Sequence, residues 1–167
     1  MTSFEEYVRA RGDALLRFGY LLCGDAHQAE DFVQEALVRC HRRWGRIRED
    51  PHVYVRRAVL RQYLSWRRRA ASGEIPTDLI EGEQAPNQHA TSEDDDVIRG
   101  MLDRLPRRQR AVLVLRYYED LPDGEIATLL GCSPATVRVH VHRGLARLRQ
   151  QLEPADAGLS LARKGNR

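Results

Sequence analysis

The sequence predicts an all-α fold: two small helical bundles joined by a flexible acidic linker, the C-terminal one containing a helix-turn-helix. Three observations predict it. Apolar residues recur at helical spacing on both sides of a central segment, and strand signals are absent. The central segment, SGEIPTDLIEGEQAPNQHATS, contains Gly73, Pro76, Gly82 and Pro86 and lacks helical periodicity. The charge changes sign with it. Residues 1–71 hold 14 Arg against 9 acidic residues, 72–103 hold 1 Arg against 9, and 104–167 hold 12 basic against 6. The expected layout is a domain over 1–71, the linker over 72–92, a second domain over 93–153 and a disordered tail over 154–167.

The elements follow in order. Phe4, Val8, Leu15, Phe18 and Leu22 recur at helical spacing, which predicts a first helix over roughly 3–22. Gly24 ends it, and Asp25 can cap the next. In DAHQAEDFVQEALVRCHRRW the apolar stripe is Ala29, Phe32, Val33, Ala36, Leu37 and Cys40, and Gly45 closes that helix. Pro51 starts a third helix through about Ala70, with Val55, Val59 and Tyr63 inward. Beyond the linker, Val97–Leu105 and Gln109–Tyr118 make two helices split by Pro106. Glu125–Leu130 is a short helix, Gly131-Cys132-Ser133 a turn, and Pro134–Leu152 a longer helix with Ser133 as its N-cap.

Several function classes are disfavoured. No run approaches the roughly 18 apolar residues of a membrane span. The N-terminus MTSFEEYVRA lacks a signal peptide's apolar stretch, so a cytoplasmic protein without membrane contact is expected. Cys23, Cys40 and Cys132 have no CxxC spacing. They read as buried thiols; a metal set of Cys23, His27, Cys40 and His41 is the weaker alternative. Ser65, Asp123, His140 and His142 could be drawn as a triad, but no nucleophile motif or phosphate loop accompanies them. The expectation is therefore no catalytic residue, no metal and no cofactor.

The C-terminal helices carry the clearest signal. Ala127 is small where two helices would cross, Gly131 suits a left-handed turn, and Val137 plugs the angle between them. Small–x3–Gly–x5–aliphatic is the pattern of a helix-turn-helix. On the longer helix, Val137, Val141, Leu145, Leu148 and Leu152 form one stripe, expected to be core. The opposite side carries Thr136, Val139 and Arg143, with Arg138, His142 and Arg147 at its margins. A solvated face usually mixes acids with its bases. From Cys132 to Gln151 there are four Arg and no acid. This favours DNA over plain solvation, with base readout by Arg138, Val139, His142 and Arg143 and phosphate contact by Arg147. Of 27 basic residues, 26 are Arg and only Lys164 is Lys. Arg suits bidentate phosphate and base contacts, and a GC-rich genome would write the same bias.

A second basic helix, YVRRAVLRQYLSWRRR over 54–69, interleaves aromatics with Arg. Bases can stack on Tyr and Trp while guanidinium groups follow phosphates; equally, Tyr63 and Trp66 can be core.

Taken together, DFVQEALVRCHRRWGRI, PHVYVRRAVLRQYLSWRRR and LPRRQRAVLVLRYYEDLPDGEIATLLGCSPATVRVHVHRGLARLR resemble regions 2 and 4 of the extracytoplasmic-function sigma factors of bacterial RNA polymerase. The YLSWRRR run and the abundance of Arg are similar to actinobacterial members called the SigE family. The resemblance covers roughly 10–152. It implies partners: core RNA polymerase, at its β′ clamp helices and β flap, promoter DNA, and an anti-sigma factor as a further candidate. Asp31, Gln34 and Glu35 match the segment that docks on the clamp helices. Arg116, Ser133, Thr136, Arg138, Val139, His142, Arg143 and Arg147 fall in the part that meets the −35 element. The helix with Arg57, Arg61, Gln62, Ser65 and Arg68, and the preceding loop Gly45–His52, match the part that captures the unwound −10 element. The acidic linker is similar to the segment threaded toward the polymerase active-site channel.

Two positions depart from the family. It commonly has Asn where this chain has Arg61. An amide both donates and accepts, whereas Arg only donates, so a different −10 preference is expected. The Ser that often caps the first helix of the helix-turn-helix is Pro122 here. No region 1.1, region 3 domain or appended C-terminal domain is expected. Two rival readings are a stand-alone regulator of the LuxR type and a sigma-like decoy for an anti-sigma factor.

Overall fold

A computed structural model of the chain describes residues 2–74 and 93–153. Most of the expected linker, from residue 75, and the expected tail lie outside the described residues. The chain divides into two compact units, Met1–Ser92 and Glu93–Arg167. Among the described residues every regular element is helical.

The first unit is a three-helix bundle of α1 (Phe4–Cys23), α2 (Ala26–His41) and α3 (Pro51–Ala71). Each start is set locally. Ser3 and Glu6 form a capping box on α1, the Asp25 side chain accepts from the Gln28 backbone N–H, and Asp50 caps α3, whose first residue is Pro51. Leu15, Phe18, Leu22, Ala36, Val55 and Val59 are almost wholly excluded from solvent. Phe32 meets Tyr63 and Trp66 edge-on, at centroid distances of 6.2 and 6.0 Å. Tyr63 and Trp66 are thus core, and the stacking role offered to them from sequence is withdrawn. Phe4, Val8 and Leu37 are only half-buried, beside an open apolar groove of about 650 Å³ between α1 and α2. α2 stops at His41, before the Gly45 expected to close it. A 3-10 turn, Trp44–Arg46, follows.

The second unit holds α4 (Glu93–Asp103), α5 (Arg107–Leu113), α6 (Asp123–Leu130) and α7 (Pro134–Leu152). α5 runs into a π-helical turn, Val114–Tyr118, where a single α-helix was expected. α7 is the hub, packing on α4, α5 and α6. At Gly144 it meets α5 so closely that a Cβ would lie 2.9 Å from Leu113 Cδ1. Two corrections concern burial. Leu152, expected in the core stripe, is 61% exposed, because α7 outruns the helices that cover it; Leu145 and Leu148 are half-buried. Arg110, one of the basic residues, is 1% exposed and faces Asp103 at 3.6 Å. Buried Arg99 pairs with Asp96.

Candidate nucleic-acid interface

The turn between α6 and α7 is built by its residues. Gly131 closes α6 at φ 66°, a left-handed conformation that L side chains rarely adopt. Its N–H and that of Cys132 both donate to the Ala127 carbonyl. Ser133 then starts α7, its Oγ accepting from the Thr136 N–H at 3.1 Å. The two hydroxyls of Ser133 and Thr136 lie 2.9 Å apart in a hydrogen bond. Ala127 and Val137 are buried where the two helices meet. Pro122 stands at the N-cap of α6 with no side-chain cap; its carbonyl accepts from Glu125 and Ile126 instead.

This geometry sorts the residues of α7. Val137, Val141 and Gly144 face the unit's core. Arg138, Val139, His142, Arg143 and Arg147 are all exposed. With Ser133, also exposed at the helix start, six of the eight sequence-selected residues of this unit lie on open surface. Ser133 and Thr136 are engaged with each other at the helix start. Arg116 is engaged too: it sits in the π turn, donates to Asp123 Oδ1 at 2.5 Å, and lies 5.9 Å from the Tyr117 ring centre. Arg116 thus ties the π turn to the start of α6. Tyr117 beside it is 62% exposed. Asp123, held by Arg116, is not free for the triad drawn from sequence.

In the first unit, Asp31, Gln34 and Glu35 are exposed on α2. Glu35 pairs with Arg39 at 2.8 Å. Across from them stand Gln62, Ser65 and Arg69 of α3, and the groove between, about 880 Å³, has Phe32 and Trp66 in its wall. The structure so brings two groups chosen separately from sequence, Asp31, Gln34 and Glu35 of α2 and Gln62 and Ser65 of α3, to one groove. Arg57, Arg61 and Arg68 are exposed on α3. Arg57 pairs with Glu49 of the preceding loop at 3.0 Å.

A smaller groove of about 330 Å³ was missed. Arg39, Arg42 and Arg43 meet Tyr54, Arg61 and Gln62 there, above Cys40. The HRRW run after Cys40 was the available signal; only the fold turns it toward α3. Cys40 is buried, and burial pushes its thiol pKa up. Cys23 is also buried and donates to the Asp25 carbonyl, while Cys132 is only half-buried. Among the described residues no cluster of His, Cys, Asp and Glu is placed to hold a metal ion.

The loop between α2 and α3 is fastened to the start of α1. Trp44 Nε1 donates to the Thr2 carbonyl at 3.0 Å. Phe4 and Tyr7 pack on the Trp44 ring at 5.2 and 4.9 Å. The Tyr7 hydroxyl and His52 Nδ1 share a hydrogen bond at 3.1 Å. Burial, more than any charge, raises the Tyr7 pKa to about 12, so the phenol keeps its proton. Burial, with Arg56 and Arg11 nearby, lowers that of His52 and favours the neutral ring, to which the phenol can donate.

Comparisons with known proteins bear on both units. The family model described as "Sigma-70 region 2" matches residues 7–73, and that described as "Sigma-70, region 4" matches 95–148. The chain is 39% identical over 158 residues to the RNA polymerase sigma-E factor of Streptomyces coelicolor, covering 92% of this chain and 88% of the relative. To the RNA polymerase sigma-E factor of Streptomyces avermitilis it is 38% identical over 155 residues, covering 92% and 87%. Among solved structures, the sigma factor RpoE of Bartonella quintana, crystallised with the anti-sigma factor NepR, has the same fold. There the TM-score is 0.60 at 21% identity, over 90% of this chain and 96% of that one.

Proposed function

Because this chain belongs to the sigma-70 family of RNA polymerase sigma factors, in its extracytoplasmic-function group, we propose how its surfaces divide the work of promoter recognition. As a member it binds core RNA polymerase and directs it to promoter DNA. The layout of the reading is 1–71 as region 2, 72–92 as linker, 93–153 as region 4 and 154–167 as tail. Arg138, Val139, His142 and Arg143 read base edges of the −35 element. Arg147 neutralises phosphate. Ser133 and Thr136 set the angle of entry of α7, and Arg116 positions α6 beneath it. On region 2, Arg57, Arg61, Gln62, Ser65 and Arg68 line the path of the unwound −10 strand. Asp31, Gln34 and Glu35 dock on the β′ clamp helices, and region 4 meets the β flap. The activity is non-enzymatic and cytoplasmic. An anti-sigma factor is a further partner, by analogy with the Bartonella quintana complex.

The observation that carries this reading is the exposed, acid-free face of α7 following a turn held by Gly131 and Ser133. The second helix of a helix-turn-helix, here α7, enters the major groove by this N-terminal end. Among the described residues no helix is long and apolar enough to cross a membrane.

Run-off transcription with purified core polymerase on a promoter library tests the reading directly. We expect initiation at a defined set of promoters; core polymerase that gains no selectivity from the chain favours the decoy. Within that assay, Arg143→Ala should cost about 1–3 kcal/mol at the cognate upstream element. An equal loss on scrambled DNA would reduce Arg143 to a phosphate contact.

A further inference from the structure

Ala135 and Val139 stand one helical turn apart on α7, and both are exposed. They lie opposite the buried Val137, Val141 and Gly144. Arg138 and His142 border them on one side, Thr136 and Arg143 on the other. Val139 is 44% exposed, so packing does not explain it. Nor does helix propensity, because a β-branched residue is a weaker helix former than the straight-chain residues usual on a wet face. The strip is apolar inside a cationic frame that holds no acid from Cys132 to Gln151.

That frame selects a polyanion as the occupant. In the major groove of duplex DNA the apolar group on a base edge is the C5-methyl of thymine. Resting on the reading of α7 as the −35 helix, we propose that Val139 and Ala135 are specificity-determining residues that read thymine methyl groups. Val139 meets one methyl and Ala135 a neighbouring one. The flanking Arg138 and Arg143 address the adjoining bases and hold the register. The upstream element therefore carries at least one A·T pair opposite Val139.

Holoenzyme assembled from the full chain and core polymerase is bound to a promoter selected from a library randomised upstream. Each thymine of the element, on either strand, is replaced in turn by deoxyuridine, which lacks only the methyl. Binding should weaken about three- to fivefold at one or two positions, the worth of one buried methyl. Val139→Ala should weaken binding to the thymine duplex by a similar factor. It should then be nearly indifferent to deoxyuridine at its own position. Alanine is the better helix former at an exposed site, so the variant keeps its fold.

If no position responds while the holoenzyme still distinguishes the element from scrambled DNA, the methyl contact is overturned and the family reading stands. If the deoxyuridine effect persists unchanged in Val139→Ala, the methyl acts through duplex shape and the proposal falls. If Val139→Ala fails to assemble with core polymerase, the strip belongs to a protein contact and the proposal falls as well. A wild-type holoenzyme indifferent to the whole upstream element would sink both the proposal and the reading of α7 beneath it.

Discussion

Tyr7 and His52 illustrate how single side chains hold the loop expected to meet the −10 strand. Their hydrogen bond is partly buried, and Trp44 packs against Tyr7 beside it. Tyr7→Phe keeps the ring and removes only the hydroxyl. It should lower stability by about 0.5–1.5 kcal/mol in urea unfolding, the usual net value of one such bond. The same pair makes stability depend on pH. The His52 pKa lies below its ordinary 6.5, so in mild acid the unfolded chain binds the proton that the folded chain refuses. The contribution of His52 is complete above about pH 6.5 and is lost as pH falls below it. Thermal melts should show a midpoint that is steady from pH 7.5 to 6.5 and declines from there. His52→Gln should make that decline shallower; an identical decline would assign it to other groups.

Among the elements, α6 is the least favoured. It has no side-chain cap, since Pro122 stands where a Ser would serve, and Gly124 occupies its first turn. A Cβ at Gly124 would meet nothing within 4 Å, and its φ is not left-handed. Gly124→Ala should therefore stabilise the second unit by up to about 1 kcal/mol, read as a raised melting midpoint. Elements with strong local chemistry were legible beforehand. Asp25, Pro51 and Ser133 mark helix starts because each satisfies or removes an unpaired backbone donor, and Gly131 marks a helix end because it takes the left-handed φ there. The π turn at Val114–Tyr118 left no such mark. Its wider bond, from the Glu119 N–H to the Val114 carbonyl, takes in one extra residue, and no periodicity records that. Charge misled in one respect. Arg99 and Arg110 count as surface cations in a composition, yet both are buried. The face of α7 was readable because Val139 contradicts the polarity around it. The basic groove of Arg39, Arg42, Arg43 and Arg61 was not, because two helices contribute to it and only the fold sets them together.

The charge map belongs to the whole molecule. Two basic blocks flank a segment, 72–103, with 9 acidic residues and 1 Arg. Such a segment can cover the cationic faces when polymerase is absent and release them when it is present. Covalent connection also raises the effective concentration of the second module, once the first is placed, to the order of millimolar. Neutralising Asp94, Asp95 and Asp96 should raise DNA binding by the free chain in a low-salt titration, and an unchanged titration would dispose of the masking idea. Those residues occupy the first turn of α4, where negative charge favours the helix dipole and where Asp96 pairs with the buried Arg99. Replacing Glu74, Asp78, Glu81 and Glu83 by their amides tests the same idea without touching that helix. The indole of Trp44 has a plainer consequence. Its hydrogen bond to the carbonyl of Thr2 makes Thr2 part of what holds the loop between α2 and α3, the loop proposed to meet the −10 strand. Loosening the backbone at Thr2 should therefore loosen a loop 42 residues further along the chain, read as a lowered melting midpoint of the first unit.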